Sequence, residues 1–332
     1  KLDRLKRSSL SVRITAEDVL VCSTGRIGVS MPMKNIERGI RACAPRLARS
    51  TSSAGQVAEA IMTTDTRRKE IAAESQIGGS RVRIGGICKG AGMIQPGMAT
   101  MLAFITTDAA IESAALKRAL KIAVGKSFNR ITVDGDMSTN DSVIMLANGL
   151  AGNRKLVTRH NRQSGSDSLV TFQSALNFVC VELAKMIVRD GEGTSRVVTL
   201  HVRGARNDRE AEAAARAVAN SSLVRTSWCG GDPNWGRILC ALGYSKANVD
   251  ETIVDVGYAQ PGSRKILFAF RCGRPTNAAL KTLARITSAP EFDLHVDLQR
   301  GRGEFLLYAA DLTEDYVAFN KGDITDPATL GG

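Results

Sequence analysis

Apolar residues in this chain recur with two different periods, and the switching between them predicts a succession of helices and strands. At helical spacing, Ile36, Ile40, Cys43 and Leu47 predict a helix over 33–47, and a second is expected over 52–62. Ala115, Leu116, Leu120, Ile122 and Ala123 predict a third over 111–128. The longest is expected over 167–188, where Leu169, Phe172, Leu176, Val179, Leu183, Met186 and Ile187 make an apolar face that should be buried centrally. An Ala-rich helix over 208–219, one opening at Asp232-Pro233-Asn234-Trp235 and one near 277–286 follow. Short apolar, β-branched runs predict strands at 19–22, 81–89, 101–107, 131–133, 197–202, 252–256, 265–270, 292–298 and 303–309, with an extended segment over 223–228. Gly149 to Ser166 is polar and basic, the composition of an exposed loop. This order places the chain in the α/β class, as an α+β layered sandwich of helices and mixed β-sheets. No Gly-rich nucleotide loop is followed by a suitable helix and acidic partner, which argues against a Rossmann sheet.

Composition narrows the function classes. With 332 residues and 43% hydrophobic content the chain can hold one large globular domain or two smaller ones. No apolar run is expected to approach the roughly 20 residues that cross a bilayer, and no signal pattern opens the chain, so the expected address is the cytoplasm with no membrane partner. Seven widely spaced cysteines without a CxxC suit reduced core thiols. The three histidines, His160, His201 and His295, have no partner at ligand spacing, so no metal is expected and a His-based triad lacks material. A net charge of +12 invites a nucleic-acid reading, but the cations are scattered and aromatics are only 5%, too few for base stacking. The charge reads instead as a solvated surface that helps draw in acidic substrates.

The stretch from Cys88 to Ala110 concentrates the candidate chemistry. Lys89-Gly90-Ala91-Gly92 joins a cation to flexible backbone, Pro96-Gly97 forces a turn, and Met98-Ala99-Thr100 leads into an apolar strand. A threonine hydroxyl is a weak nucleophile without a base, and its own α-amine can be that base once the preceding peptide bond is cut. Read from the residues alone, Thr100 is more readily a strand-capping residue after an ordinary turn. Likewise Thr24-Gly25 offers either oxyanion donors or a plain strand-to-loop turn, Thr63 to Thr66 a capping cluster, and Glu192 a loop carboxylate. Asp134, Asp136 and Asp141 lack the length and distal Glu of a calcium loop.

KGAGMIQPGMATMLAFITTDA, followed by SFNRITVDGDMSTNDSV from Ser127, RDGEGTSR from Arg189 and DPNWGRI from Asp232, resembles the glutamate N-acetyltransferase family, the bifunctional ornithine acetyltransferases of arginine biosynthesis. The resemblance covers nearly the whole chain and implies the self-processing ornithine-acetyltransferase (DmpA-like) fold. It implies scission between Ala99 and Thr100, giving an α segment over 1–99, lacking the family's N-terminal portion, and a β segment over 100–332 with a substrate-clamp tail over 311–332. Thr100 is then nucleophile and, after cleavage, amine base, with Thr24 and Gly25 as oxyanion hole. Thr66, Lys89, Thr100, Glu192, Asn320 and Thr325 are implied substrate contacts, and the carboxylate loop takes a site-shaping role. Arg26 departs from the family pattern beside the oxyanion pair, as do Lys321, Gly322 and Ile324 in the tail. N-acetylornithine and glutamate are the implied partners, acetyl-CoA a further co-substrate for some members, and two α and two β chains the implied assembly. No cofactor is expected. A self-processing amidohydrolase or aminopeptidase of the same fold, with water as acceptor, and an inactive fragment are the alternatives.

Overall fold

A computed structural model of the chain describes residues 15–25, 27–95, 101–158 and 166–321. In chain order the helices and strands are α1 (Met33–Cys43), α2 (Thr51–Ala60), β1 (Lys69–Ile77), β2 (Ser80–Lys89), β3 (Leu102–Thr107), α3 (Ser113–Lys126), β4 (Ile131–Thr132), β5 (Ser142–Ala147) and α4 (Ser166–Arg189). They continue with β6 (Val197–Ala205), α5 (Asp208–Asn220), α6 (Ser222–Cys229), α7 (Trp235–Gly243), β7 (Asp255–Ala259), β8 (Leu267–Arg271), β9 (Arg274–Pro275), α8 (Leu280–Thr287), β10 (Glu291–Asp297), β11 (Gly303–Ala310) and α9 (Glu314–Phe319).

Strand alternation sorts the side chains into two cores. One sheet runs β1-β2-β3-β5, antiparallel except for the parallel β3–β5 pair. The other runs β4-β11-β6-β10-β7-β8-β9 and is mixed. Val82, Ile84 and Ile105 of the first sheet pack with Phe172, Leu176, Val179, Leu183 and Ile187 of α4, and this core reaches Ile131 and Tyr308 of the second sheet. The opposite face of the second sheet, through Leu200, Val202, Leu294 and Leu307, packs on α5 to α8. The layered α/β expectation therefore holds, with α4 at its centre.

Several local expectations are overturned. Val19 to Cys22 forms no strand, and Val21 is 86% exposed. Leu223 to Trp228 is not extended but lies in α6, whose N-cap Ser221 accepts from Val224 N. Asp167–Arg189 is, by length and composition, apolar enough to span a bilayer, contrary to the expectation of no such run. In the fold its apolar face fills the core, as the periodicity predicts. Among the cysteines only Cys88 and Cys180 are buried, while Cys43, Cys240 and Cys272 are exposed; all seven are free.

Candidate active site

The C-terminal end of β2 is held by a buried ion cluster. Lys69, at the start of β1, donates from Nζ to Asp65 Oδ1 and Asp190 Oδ2, each at 2.5 Å, and all three side chains are essentially inaccessible. Asp65 also accepts the backbone N–H of Gly90 at 2.7 Å and of Thr63 at 3.1 Å. Burial pushes the Asp65 carboxyl up, but the bonds from Lys69 and Gly90 and the Lys69 charge outweigh it, leaving the group below its ordinary value. Asp190 accepts from the Thr66 hydroxyl and, at 3.1 Å, from Thr66 N. One cation thus couples Thr66 to Gly90, the residue that follows Lys89 out of β2.

Lys89 is buried and donates from Nζ to Thr63 Oγ1 at 3.2 Å. Burial lowers its pKa, although Asp65, Asp141 and Glu192 act in the opposite direction. Beyond it, the loop between β2 and β3 is gripped by the carboxylates of residues 134–141. Asp134 accepts from Met93 N at 2.5 Å and Ile94 N at 2.9 Å, holding Met93 at a φ of 55° that a side chain rarely adopts. Asp141 accepts the N–H of Met101, the residue directly after Thr100. Its other oxygen is buried without a hydrogen bond among the described residues, and burial raises the carboxyl to about 7 despite the Met101 bond and the Lys89 charge. Asn140 donates to the carbonyl of Ser23, which ties the Thr24-Gly25 segment to the same loop. The loop thus hydrogen-bonds to Ser23, to Met93 and Ile94, and to Met101.

Glu192 closes the site from the far side. Its N–H donates to Ala91 O at 2.9 Å, and Asn320 Nδ2 donates to its Oε2 at 3.0 Å. A Cβ at Gly92 would fall 2.4 Å from the Glu192 carboxylate carbon, so only glycine admits this approach. Gly193, at φ +64°, lets the backbone of α9 come equally near: a Cβ there would lie 2.3 Å from Tyr316 N. Thr313 donates to Gly193 O at 2.6 Å and caps α9 through Tyr316 N at 3.0 Å. Behind these contacts Arg225 donates to Ala310 O and Asp311 O, each at 3.0 Å, and to Val133 O, joining the ends of β11 and the carboxylate loop.

Of the residues singled out in the sequence, Lys89, Glu192 and Asn320 lie together, Thr66 is anchored to the same ion cluster, and Thr24-Gly25 is tethered beside it. Arg26, Ala99, Thr100, Gly322, Ile324 and Thr325 lie outside the described residues. Sequence reasoning missed Asp65, Lys69, Asp190 and Arg225, whose partners lie on distant segments, and did not separate Asp141 from its acidic neighbours. Chemically, the site offers a buried ammonium, the Glu192 carboxylate whose charge acts on it, and a carboxyl raised to about 7 against Met101 N. That charge layout suits a zwitterionic amino acid.

A model of the ArgJ family matches residues 4–323. The arginine biosynthesis bifunctional protein ArgJ of Symbiobacterium thermophilum is 45% identical over 320 residues, covering 96% of this chain and 76% of that protein. The glutamate N-acetyltransferase of Methanocaldococcus jannaschii is 44% identical over 313 residues, covering 92% and 75%. The crystal structure of ArgJ from Bacillus halodurans is similar at a TM-score of 0.58 and 37% identity, covering 66% of this chain and 97% of that one.

Proposed function

The chain belongs to the ArgJ family, and from that premise we propose that it is an acyltransferase of arginine biosynthesis that moves the acetyl group of N2-acetylornithine to glutamate. The observation that carries this reading is the convergence of Lys89, Glu192 and Asn320 on the loop that leads to Thr100. Lys89 supplies a charge partner for a substrate carboxylate, and Glu192 one for the ornithine ammonium, orienting the amine that leaves.

Thr100 is the nucleophile in this proposal, and its chemistry has two stages. In the uncut chain the Thr100 nitrogen is an amide and has no basicity to offer, so scission needs another proton acceptor. Asp141, bonded to the very next N–H and carrying a free buried oxygen, fills that role. It takes the hydroxyl proton as Thr100 Oγ adds to the Ala99 carbonyl carbon, then returns it to the departing Thr100 nitrogen. Water hydrolyses the resulting ester, leaving an Ala99 carboxylate and a free Thr100 amine. In the cut protein that amine, with a reference pKa of about 7.7–8.0, takes the hydroxyl proton while Oγ attacks the acetyl carbonyl. Thr24-Gly25 hold the oxyanion, ornithine departs with the proton, and glutamate accepts the acetyl group from acetyl-Thr100.

Thr66, Asn320 and Thr325 complete the substrate contacts, acetyl-CoA is a further donor to the same threonine, and no cofactor takes part. Segments 1–99 and 100–332 assemble as two α and two β chains in the cytoplasm. Intact-mass analysis with and without N-acetylornithine tests the reading: it should find two fragments, with one acetyl group on the fragment that begins at Thr100. Thr100→Ala should abolish both; a variant that is still cut and still exchanges acetyl refutes the proposal. Running the assay with and without glutamate separates transfer from hydrolysis.

A further inference from the structure

On the face of the seven-stranded sheet opposite α5 to α8, two histidines stand side by side. The parallel pairing of β6 with β10 sets His201 directly across from His295, with ring centroids 4.5 Å apart and planes 12° from parallel. Asp293 lies two residues before His295 on the same face of β10, and its Oδ2 is 3.5 Å from His201 Nε2. The three potential ligand atoms all lie within 4.8 Å of one another. Residues i and i+2 of one strand plus one from its neighbour form a natural β-sheet ligand set, because alternate side chains share a face.

Both imidazole Nε2 atoms are buried and make no hydrogen bond among the described residues. At 3.5 Å and without alignment, Asp293 does not satisfy His201. A pair of orphaned buried nitrogens beside a carboxylate calls for an occupant. Asp293 is oriented by the N–H of Gly262 at 2.9 Å. His201 and His295 line a cavity of about 450 Å³. Of the three arginines along it, Arg203 is paired with Asp297 at 2.8 Å, Arg130 lies over the Phe305 ring at 4.5 Å, and Arg264 is exposed.

We propose that His201, Asp293 and His295 form a binding site for a divalent first-row transition metal of the zinc class, with a fourth position open to the cavity for water or an anion. Two imidazoles and one carboxylate suit zinc, cobalt, nickel or copper better than magnesium or calcium. Metal–ligand bonds of about 2.0–2.1 Å give a tetrahedral edge of about 3.4 Å. The His201–Asp293 contact already has that length, and an imidazole turning out of the stack closes the wider gap. The ion would bridge β6 and β10 at the middle of the sheet, so occupancy should raise the unfolding temperature.

The test uses the full chain after chelation and dialysis, titrated with Co²⁺ and with Zn²⁺ by calorimetry and visible absorption. The expected result is one metal per chain, cobalt bands without a thiolate charge-transfer component, and a higher unfolding temperature with Zn²⁺. His295→Ala and His201→Gln should each weaken binding by more than about 100-fold, since loss of an outer-shell partner alone costs about 10- to 100-fold. Circular dichroism checks that both variants fold, and His201→Gln keeps a polar side chain at the strand position should the alanine not be tolerated. Uptake equal in the parent and both variants, no uptake in the parent, or a thiolate band from Cys240 or Cys272 would each overturn the proposal.

Discussion

Replacing Lys69 with methionine tests the ion cluster that couples the two halves of the site. The substitution conserves chain length while leaving Asp65 and Asp190 as neighbouring buried carboxylates without their shared cation. Removing one partner of a buried ion pair destabilises by about 3–5 kcal/mol. The backbone N–H bonds that remain on each carboxylate favour the lower end of that range. With a urea m-value of about 3 kcal/mol/M, the unfolding midpoint should fall by about 1–1.7 M. Acidity adds a second readout. The Asp65 carboxyl sits below its ordinary value in the folded chain. Its contribution is therefore fully present above the unfolded value of about 3.9 and is lost as pH falls through the folded one. In Lys69→Met burial acts on Asp65 without that counterweight, so its carboxyl takes up a proton sooner on acidification. The gap between parent and variant should be widest near neutrality and narrow towards low pH. A midpoint within about 0.2 M of the parent, the effect of a surface pair, would refute the reasoning, as would a gap independent of pH.

Three further outcomes follow from the site. Asp141 is raised to about 7 by burial, so between about 3.9 and about 7 the folded chain holds an extra proton and loses stability as pH rises. Asp141→Asn should remove that slope in urea titrations, and the scission rate, which should rise through about pH 7 in the parent, should become small and flat. Glu192→Gln weakens a charge-assisted contact of about 1.5–3 kcal/mol, so steady-state kinetics should show KM for N-acetylornithine raised roughly 10- to 150-fold with a smaller change in kcat. Gly193→Ala sets a methyl group against Tyr316 N at a φ that disfavours alanine. It should undock α9 at a cost above about 1 kcal/mol, seen as faster limited proteolysis after residue 310.

The sequence exposed those features whose physics is local. The buried stripe of α4 follows from one apolar residue per turn, and β2 and β3 from runs of β-branched and small residues. α6 misled because Val224, Thr226 and Trp228 alternate like a strand, whereas Ser221 capping Val224 N and Arg225 bonding three distant carbonyls decide for a helix. β1 was missed because Lys69, Glu70, Glu74 and Gln76 dilute its apolar pattern; the Gly78-Gly79 turn into β2 was the available signal. Lys89, Glu192 and Asn320 were reached through the family resemblance, and their contacts became visible only when distant segments met. Asp65 with Asp190, and His201 with His295, acquire their meaning from strand register and packing, which no spacing rule encodes.

The two strands that flank the Ala99–Thr100 bond, β2 and β3, are hydrogen-bonded to each other from Lys89–Leu102 to Ile84–Thr107 in the interior of their sheet. Cutting the connection between them would remove a tether but no ladder rung, so both products would elute as one particle and part only in denaturant. Rejoining would then be a bimolecular event. The melting point of the nicked protein should depend more steeply on dilution than that of Thr100→Ala, whose halves are still one thread.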